Sequence, residues 1–228
     1  MSTRASRLEA LYVEQEKCTT CPRLVGCRKR VVRGRGNPDA RIVFIGEGPG
    51  EDEDNEGFAS VGRVGKFLDD ELLGKIGIGD PEEDFYIVNA VACRPAVMNV
   101  LRGKMENVQP TFDEMQNCRK WLHQIIRIID PFCLILAGGI PCQAFGLRKS
   151  ITSMQGRPVD VQVDGVGRSI RYCAMPIFHP SYLMRKRDVP QLTDVTVTNL
   201  TQVIERAMAY LRVSKGLSPV PLHQEEEE

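Results

Sequence analysis

Short apolar runs alternate with amphipathic stretches along this chain. Arg41–Gly46, Phe85–Val91 and Cys133–Ala137 are mostly apolar segments of strand length, and runs of this kind are typical of strands buried on both faces of a sheet. Asp113–Ile129 carries apolar residues at helical spacing, and Pro131 ends the pattern. This alternation of strands and helices predicts a parallel sheet with helices on both faces.

Weaker patterns predict the remaining elements. Arg157–Ile177 contains two β-rich stretches around Asp164-Gly165 and is expected to form a hairpin. Residues 96–111 show no clear period and are expected to be an irregular loop. Further helices are expected over residues 5–17, 67–75 and 195–211.

Composition places the chain among ordinary globular proteins, since 42% of its 228 residues are hydrophobic and 26% are charged. No apolar run approaches the roughly 18 residues that span a bilayer, and Met1–Ala10 lacks the apolar segment of a secretion signal. We therefore expect a cytoplasmic protein without membrane contact. Residues 1–214 are expected to form one domain, and 215–228 a disordered acidic tail.

The net charge of zero does not indicate nucleic-acid binding, but four of the 30 acidic residues are the terminal glutamates, so the rest of the chain is net positive. One basic cluster, Arg28–Arg30 with Arg33 and Arg35, is expected to be solvated surface. A second, Arg185–Arg187, directly follows a histidine-containing turn, and there phosphate contact is the favoured interpretation.

Two turns carry the candidate chemistry. Gly46–Gly50 and His179–Arg185 each follow an apolar, strand-like run, and ligands of open α/β sheets bind where strands end. The first turn offers backbone N–H groups beside the Glu47 carboxylate, and the second offers an imidazole on a turn stiffened by Pro180. The pair predicts a site that stabilises negative charge.

Eight cysteines without a secretion signal favour metal binding over a disulfide framework. Cys18 and Cys21 have C-x2-C spacing, Cys93 follows a strand, and Cys118 lies near the start of a helix. On spacing alone, a zinc site or unliganded thiols stay open. The context of Cys27 is ambiguous, and three cysteines in apolar surroundings are expected to be buried: Cys133, Cys142 and Cys173.

Four segments with Cys118 resemble the family 4 uracil-DNA glycosylases: Cys18–Pro22, Gly36–Asp54, Tyr86–Pro95 and His179–Arg185. The resemblance implies a three-layer αβα sandwich around a four-stranded parallel sheet. It also implies a [4Fe–4S] cluster held by Cys18, Cys21, Cys93 and Cys118. The partner would be DNA, bound by a monomer that flips a pyrimidine out of the stack before hydrolysing its N-glycosidic bond.

The resemblance also assigns roles to the two turns. His179 would stabilise the leaving base, and Glu47 would position water or support the cationic sugar, although a structural histidine and a loop ion pair are the alternatives. Asn89 would read the pyrimidine edge unless it is a buried structural amide. Gly48 and Ser60 would complete base recognition. The expected DNA contacts are Pro49, Gly50, Ser181, Tyr182, Leu183, Met184 and Arg185, with Leu183 or Met184 as a wedge unless both pack in the core.

One departure concerns the base. The family pattern has Pro-Phe where this chain has Ala59-Ser60, so the ring that stacks on uracil is missing from that position. Stacking contributes about 1–3 kcal/mol per base. The smaller residue favours, by a slight margin, a bulky modified pyrimidine such as a hydroxymethylated or glycosylated base of phage DNA, in an antiviral role. Ordinary uracil repair with Phe58 as the stacking ring is the alternative.

A second departure is the long separation between Cys93 and Cys118, which is expected to hold an inserted loop, Ala96–Gln109, that contacts DNA or lines the pocket. No lysine lies in the two turns to form a Schiff base, so a monofunctional glycosylase is expected. A DNA-binding module that keeps the cluster without turnover is the non-enzymatic alternative.

Overall fold

The computed structural model describes residues 2–76 and 85–214, with side chains described up to Glu205. The strands of a central sheet are β1 (Arg35–Gly36), β2 (Ile42–Gly46), β3 (Phe85–Asn89), β6 (Cys133–Ala137), β7 (Val159–Val163) and β8 (Ile170–Ile177). Their order across the sheet is β1-β3-β2-β6-β8-β7. The four inner strands are mutually parallel, and the edge strands β1 and β7 are antiparallel to their neighbours.

The helices are distributed before, between and after the strands along the chain. They are α1 (Arg4–Glu16), α2 (Pro22–Cys27), α3 (Glu51–Glu56), α4 (Arg63–Phe67), α5 (Phe112–Ile129), α6 (Gly139–Ala144), α7 (Ile151–Met154), α8 (Pro180–Arg185) and α9 (Pro190–Ser214). A π-helical segment, Leu68–Leu73, and a short 3₁₀ turn, Gly74–Ile76, continue α4. A separate hairpin consists of β4 (Ala96–Asn99) and β5 (Lys104–Asn107).

Alternation along the buried strands divides the core into two layers. Val43 and Ile45 of β2 face one side, where α1 and α5 pack, whereas Phe44 faces the other side with α4, its π-helical extension and α9. Because successive side chains of a strand point to opposite faces, a continuous apolar run fills both layers. This arrangement is the predicted αβα sandwich, and its inner four strands are the predicted parallel sheet.

The sequence patterns located most elements but not all. Residues 96–111, expected to be an irregular loop, contain the β4–β5 hairpin. The helix expected over 67–75 begins earlier, at Arg63, and becomes π-helical from Leu68. The predicted acidic tail lies outside the described residues. Within residues 2–76 and 85–214, no helix is long and apolar enough to span a bilayer.

Candidate active site

A cavity of about 410 Å³ lies at the carboxyl edge of the parallel strands. β2 ends at Gly46, which pairs with Asn89 at the end of β3, and β8 ends just before His179. The two turns predicted to form the site therefore face one cavity. Its wall includes Glu47, Gly48, Pro49, Gly50, Ser60, Asn89, His179, Ser181 and Arg185.

His179 caps the N-terminus of α8, and its hydrogen bonds define its tautomer. Nδ1 accepts the backbone N–H of Ser181 at 3.1 Å and lies 2.7 Å from Ser181 Oγ. A nitrogen that accepts an N–H carries no proton, so the neutral ring holds its proton on Nε2. Burial, with a smaller contribution from the Arg185 charge, lowers the pKa of His179 to about 4. The ring is therefore a neutral Nε2–H donor at pH 7.

Glu47 lies in the same cavity, on the turn that follows β2. The backbone of this turn is fixed by hydrogen bonds from Ala90 N to Gly46 O (2.9 Å) and from Val91 N to Glu47 O (3.2 Å). Burial raises the pKa of the Glu47 carboxyl, and the positive charge of Arg185 opposes that rise. Arg185 therefore acts on both the carboxyl and the imidazole of the cavity.

Asn89 contributes an unsatisfied amide. Its Nδ2 is buried and makes no hydrogen bond of good geometry among the described residues, although it lies close enough to the Glu53 carboxylate to favour the charged form of that group. A buried polar group that is not fully satisfied costs about 1–3 kcal/mol. The neighbouring Gly46 leaves room for this amide, because a Cβ built there would lie 2.5 Å from Asn89 Oδ1. The amide is thus held at the cavity wall with a donor to offer a ligand.

Glu53, which the sequence analysis did not single out, connects two walls of the cavity. Its carboxylate accepts the backbone N–H groups of Gly50 and Ser60. Burial raises its pKa, and these hydrogen bonds with the nearby Asn89 amide oppose the rise. The sequence signal was a carboxylate at the third residue of α3, the position of a capping box.

The segment around Ser60 is held in an uncommon conformation. Ser60 has φ +60°, and the Arg35 guanidinium donates to the carbonyls of Ala59 (3.0 Å) and Ser60 (3.2 Å) while pairing with Asp69. Non-glycine residues rarely adopt positive φ, so this bonding keeps Ser60 at the cavity wall.

The expectation that Phe58 supplies the stacking ring is wrong. Phe58 is 47% exposed and contributes to other surface clefts, while its backbone forms a bridge with Arg33. Among the described residues, the phenyl ring that lines the cavity belongs to Phe44, which lies two residues before Gly46 in β2. Phe44 was missed because its strand pattern identified it only as a core residue.

The hairpin also lines the cavity, which is one of the two roles expected for the inserted loop. Its carboxyl end contributes Asn107, Val108 and Gln109 to the wall. The buried Arg94 donates from Nε to Asn107 Oδ1 at 2.7 Å, and Val108 N donates to Pro95 O at 2.9 Å. The hairpin is thereby fixed at its base, whereas the side chains at its tip are exposed to solvent.

Three of the four residues expected to contact DNA after Ser181 differ in environment. Leu183 is fully buried in the core, so the packing alternative holds for it and the wedge role expected of it is wrong in this conformation. Met184 is half-buried beside a cleft that also contains Arg63, Lys66 and Arg187. Tyr182 packs against Phe178, with ring centroids 5.3 Å apart.

Four of the cysteines lie near one another between α1, β3 and α5. Burial raises the pKa of Cys118 to about 12, and the neighbouring thiols Cys93, Cys21 and Cys18 raise it further. Cys27 is engaged elsewhere, since its thiol donates to Arg94 O at 3.2 Å. In the described parts of the chain, no three acidic, histidine or cysteine side chains are grouped tightly enough to hold a single metal ion.

Donors surround these thiols. Arg28 Nη1 lies 3.0 Å from Cys93 Sγ, and Asn117 Nδ2 lies 3.4 Å from Cys21 Sγ. The indole N–H of Trp121 is buried without a hydrogen-bond partner in the described structure, although it is close enough to Cys18 to lower the pKa of that thiol. A donor set of this kind fits a negatively charged sulfur cluster.

Comparison with known proteins places the fold and cavity in context. The sequence profile of the Uracil DNA glycosylase superfamily matches residues 33–201. A type-4 uracil-DNA glycosylase of Thermotoga maritima is 41% identical over 189 residues, covering 82% of this chain and 88% of the relative. The type-4 enzyme of Archaeoglobus fulgidus is 32% identical over 192 residues, covering 82% and 86%.

Proposed function

Because the chain belongs to the uracil-DNA glycosylase superfamily, we propose that it hydrolyses the N-glycosidic bond of uracil in DNA and leaves an abasic site. The observation that carries the proposal is the fixed tautomer of His179, which presents Nε2–H to a cavity that also holds Glu47 and Asn89. Breaking this bond leaves the electron pair on the base, so a positioned donor is the group that the reaction needs.

His179 stabilises the departing base. Its Nε2–H donates to the uracil O2, on which negative charge grows as the bond between N1 and C1′ breaks. A neutral donor suits this task, because it stabilises the anion without first having to gain a proton. Removing one such donor typically costs about 100- to 1000-fold in rate.

Glu47 acts on the sugar side of the same bond. Positive charge develops at C1′ as the base departs, and a carboxylate there stabilises that charge and orients the attacking water. The water oxygen bonds to C1′, and its proton passes to solvent or to the carboxylate. No lysine lines the cavity within the described residues, which supports hydrolysis without a Schiff-base step.

Asn89 reads the base. Its unsatisfied Nδ2 donates to the uracil O4, its Oδ1 accepts from N3–H, and Phe44 contributes the apolar wall beside the ring. Gly48 and Ser60 complete the pocket. A pocket built to form hydrogen bonds rejects bases that leave its polar groups unpaired.

The two turns also hold the DNA strand. Pro49, Gly50 and Ser181 approach the phosphates that flank the flipped nucleotide, and Arg185 neutralises one of them. Tyr182 and Met184 follow on the same face, with Met184 as the apolar residue that fills the vacated stack. Leu183 supports them from the core.

Uracil is the better-supported substrate. The relatives at 41% and 32% identity are named uracil-DNA glycosylases, and nothing in these comparisons supports the bulky modified pyrimidine or the antiviral role that the small Ser60 suggested. Phe44 compensates in part for the missing ring, since it lines the cavity from β2. The proposed role is therefore base-excision repair of uracil in DNA.

The four neighbouring thiols, from Cys18, Cys21, Cys93 and Cys118, are proposed to hold a [4Fe–4S] cluster. These thiols lie close enough together for Cys18, Cys21 and Cys93 to act on the pKa of Cys118, and four cysteine thiolates are the usual ligands of such a cluster. When bound, the cluster would cross-link the N-terminal segment to β3 and α5 through the bonds from its iron atoms to these four cysteines. Purified protein should be brown, absorb near about 400 nm and contain iron. Cys118→Ser should lose the colour, whereas Cys142→Ser, at a buried thiol elsewhere in the core, should keep it.

Uracil release from a labelled duplex tests the proposed activity. The wild-type enzyme should convert uracil sites to abasic sites, and His179→Ala should reduce the rate at least about 100-fold with the fold intact. A panel that includes hydroxymethylated and glycosylated cytosine identifies the base. No uracil release, or release that persists in His179→Ala, would contradict the proposal, and brisk release of only a modified base would return the assignment to the bulky pyrimidine.

A further inference from the structure

The β4–β5 hairpin presents an apolar tip that nothing in the described structure covers. Val100 is 85% exposed and Leu101 is 98% exposed, and Met98 of β4 is 56% exposed. Burying a side chain of this size typically contributes about 1.5–3 kcal/mol. Consecutive apolar residues at the end of a projecting ribbon therefore indicate a binding surface and have no role in packing.

The tip is held in a defined shape. Arg102 N donates to Asn99 O at 3.2 Å and to Asn99 Oδ1 at 3.1 Å, and Gly103 adopts φ +61°. The antiparallel register pairs Asn99 with Lys104 below this turn. Val100 and Leu101 are thus presented at the apex of an ordered turn, so little conformational entropy is lost when they bind.

Charge and position identify the partner. Arg102 and Lys104 directly follow the apolar tip along the chain, and Arg102 forms an ion pair with Glu106 at 3.1 Å. The other end of the hairpin, Asn107–Gln109, lines the cavity in which the flipped base is proposed to bind. An apolar tip followed by cations and rooted at a base pocket is complementary to duplex DNA, whose phosphates surround an apolar base stack.

We propose that the hairpin is a second DNA-contacting element, which inserts Val100 and Leu101 against the base pairs of the duplex beside the target nucleotide. This inference rests on the proposed glycosylase function. A strand rises about 3.3 Å per residue, so the five steps from Ala96 to Leu101 span about 16 Å. This length corresponds to about five base pairs of B-DNA at about 3.4 Å per step. The hairpin therefore makes double-stranded DNA the preferred substrate.

The test compares Val100→Ser/Leu101→Ser with wild type on uracil in duplex and in single-stranded DNA. The exposed tip makes no core contact, so Tm should not change. We expect KM for the duplex to rise about tenfold with kcat little altered, and both constants for the single strand to stay unchanged. Val166→Ser is the matched control, because Val166 is a fully exposed valine on the distant β7–β8 turn, and it should behave as wild type on both substrates.

A binding measurement separates this inference from catalysis. In the His179→Ala background, duplexes carry 2-aminopurine at three to seven base pairs from uracil, on either side. Insertion of the tip should unstack the probe at one position and raise its fluorescence, and the double serine variant should abolish that rise. Equal losses on both substrates, or no loss on the duplex, would overturn the proposal while wild-type uracil release still stood. Failure of wild-type release on every substrate would instead remove the proposed function.

Discussion

Replacing Gly46 with alanine should displace the base-reading amide without unfolding the protein. Gly46 ends β2 with no positive φ, so its backbone accepts a Cβ. The added methyl would lie 2.5 Å from Asn89 Oδ1, although ordinary van der Waals contact begins at 3.4 Å. The amide must therefore move by almost 1 Å, since Gly46 is held in place by its pairing with Asn89 of β3 and by the hydrogen bond from Ala90 N to Gly46 O (2.9 Å).

The expected cost follows from that displacement. A misplacement of about 1 Å at a reacting geometry costs about 100-fold in rate, which is about 2.7 kcal/mol. A base contact made through two hydrogen bonds has a similar value, about 1–3 kcal/mol. We therefore expect kcat/KM of Gly46→Ala to fall about 30- to 100-fold, with Tm changed by no more than a few degrees.

A double-mutant cycle identifies the cause. If alanine at position 46 acts only by displacing Asn89, then adding it to Asn89→Ala should cost nothing more. Gly139→Ala is the control at the same edge of the sheet, because its Cβ would lie 3.9 Å from the nearest side-chain atom, Gln143 Nε2. Multiplicative losses in the double variant would refute the reasoning, since they would mean that Gly46 acts through a different contact.

Three further predictions concern ionisable groups. The ¹⁵N resonances of His179 should show a neutral ring protonated on Nε2 from pH 8 to about 5. A proton on Nδ1 would contradict the assigned tautomer, and titration near pH 6.5 would contradict the lowered pKa. The pKa of buried His123 is also about 4, because of burial and the Arg119 charge. The free energy of unfolding should therefore be highest above pH 6.5, where this ring is neutral in both the folded and the unfolded state, and should fall by at most about 3 kcal/mol as the pH decreases towards 4. His123→Gln should remove most of this pH dependence, measured by urea unfolding. Glu53→Gln should lower the free energy of unfolding by about 1–3 kcal/mol and reduce kcat, because the two backbone N–H groups donate to different carboxylate oxygens and the amide NH₂ that would replace one oxygen cannot accept. Unchanged kcat would count against this role of Glu53.

The sequence patterns were most informative where burial was complete. Cys133–Ala137 was predicted to its ends, because a run buried on both faces has a sharp boundary at the first polar or glycine residue. The same pattern placed Gly46, Asn89 and His179 at the ends of parallel strands, so the order and register of the strands bring these residues to the same edge of the sheet. This part of the site follows from topology.

The parts that the patterns missed are those held by polar contacts or exposed to solvent. The hairpin has apolar residues facing outward at Val97 and Met98, and such a ribbon carries no alternation that marks a buried face. Phe58 was the alternative considered for the stacking ring because it lies near the family position along the chain, and the motif does not supply the direction of the side chain. Leu183 is buried because α8 packs against α4, a helix far earlier in the chain that a local pattern does not reveal.

Glu53 explains why the wall at Ser60 and the turn at Gly50 have to be considered together. One carboxylate accepts an N–H from each, so a shift of either segment weakens the hydrogen bond to the other. A larger residue at position 60 would have to keep φ near +60° and the contacts of its carbonyl with Arg35. Otherwise the segment around position 60 would shift, and through Glu53 it would also move the Gly50 turn, which is proposed to contact phosphate. The shape of the base pocket and the binding of the DNA strand are therefore coupled through a single buried side chain. Substitutions at position 60 that change the preferred base are expected to alter KM for DNA as well.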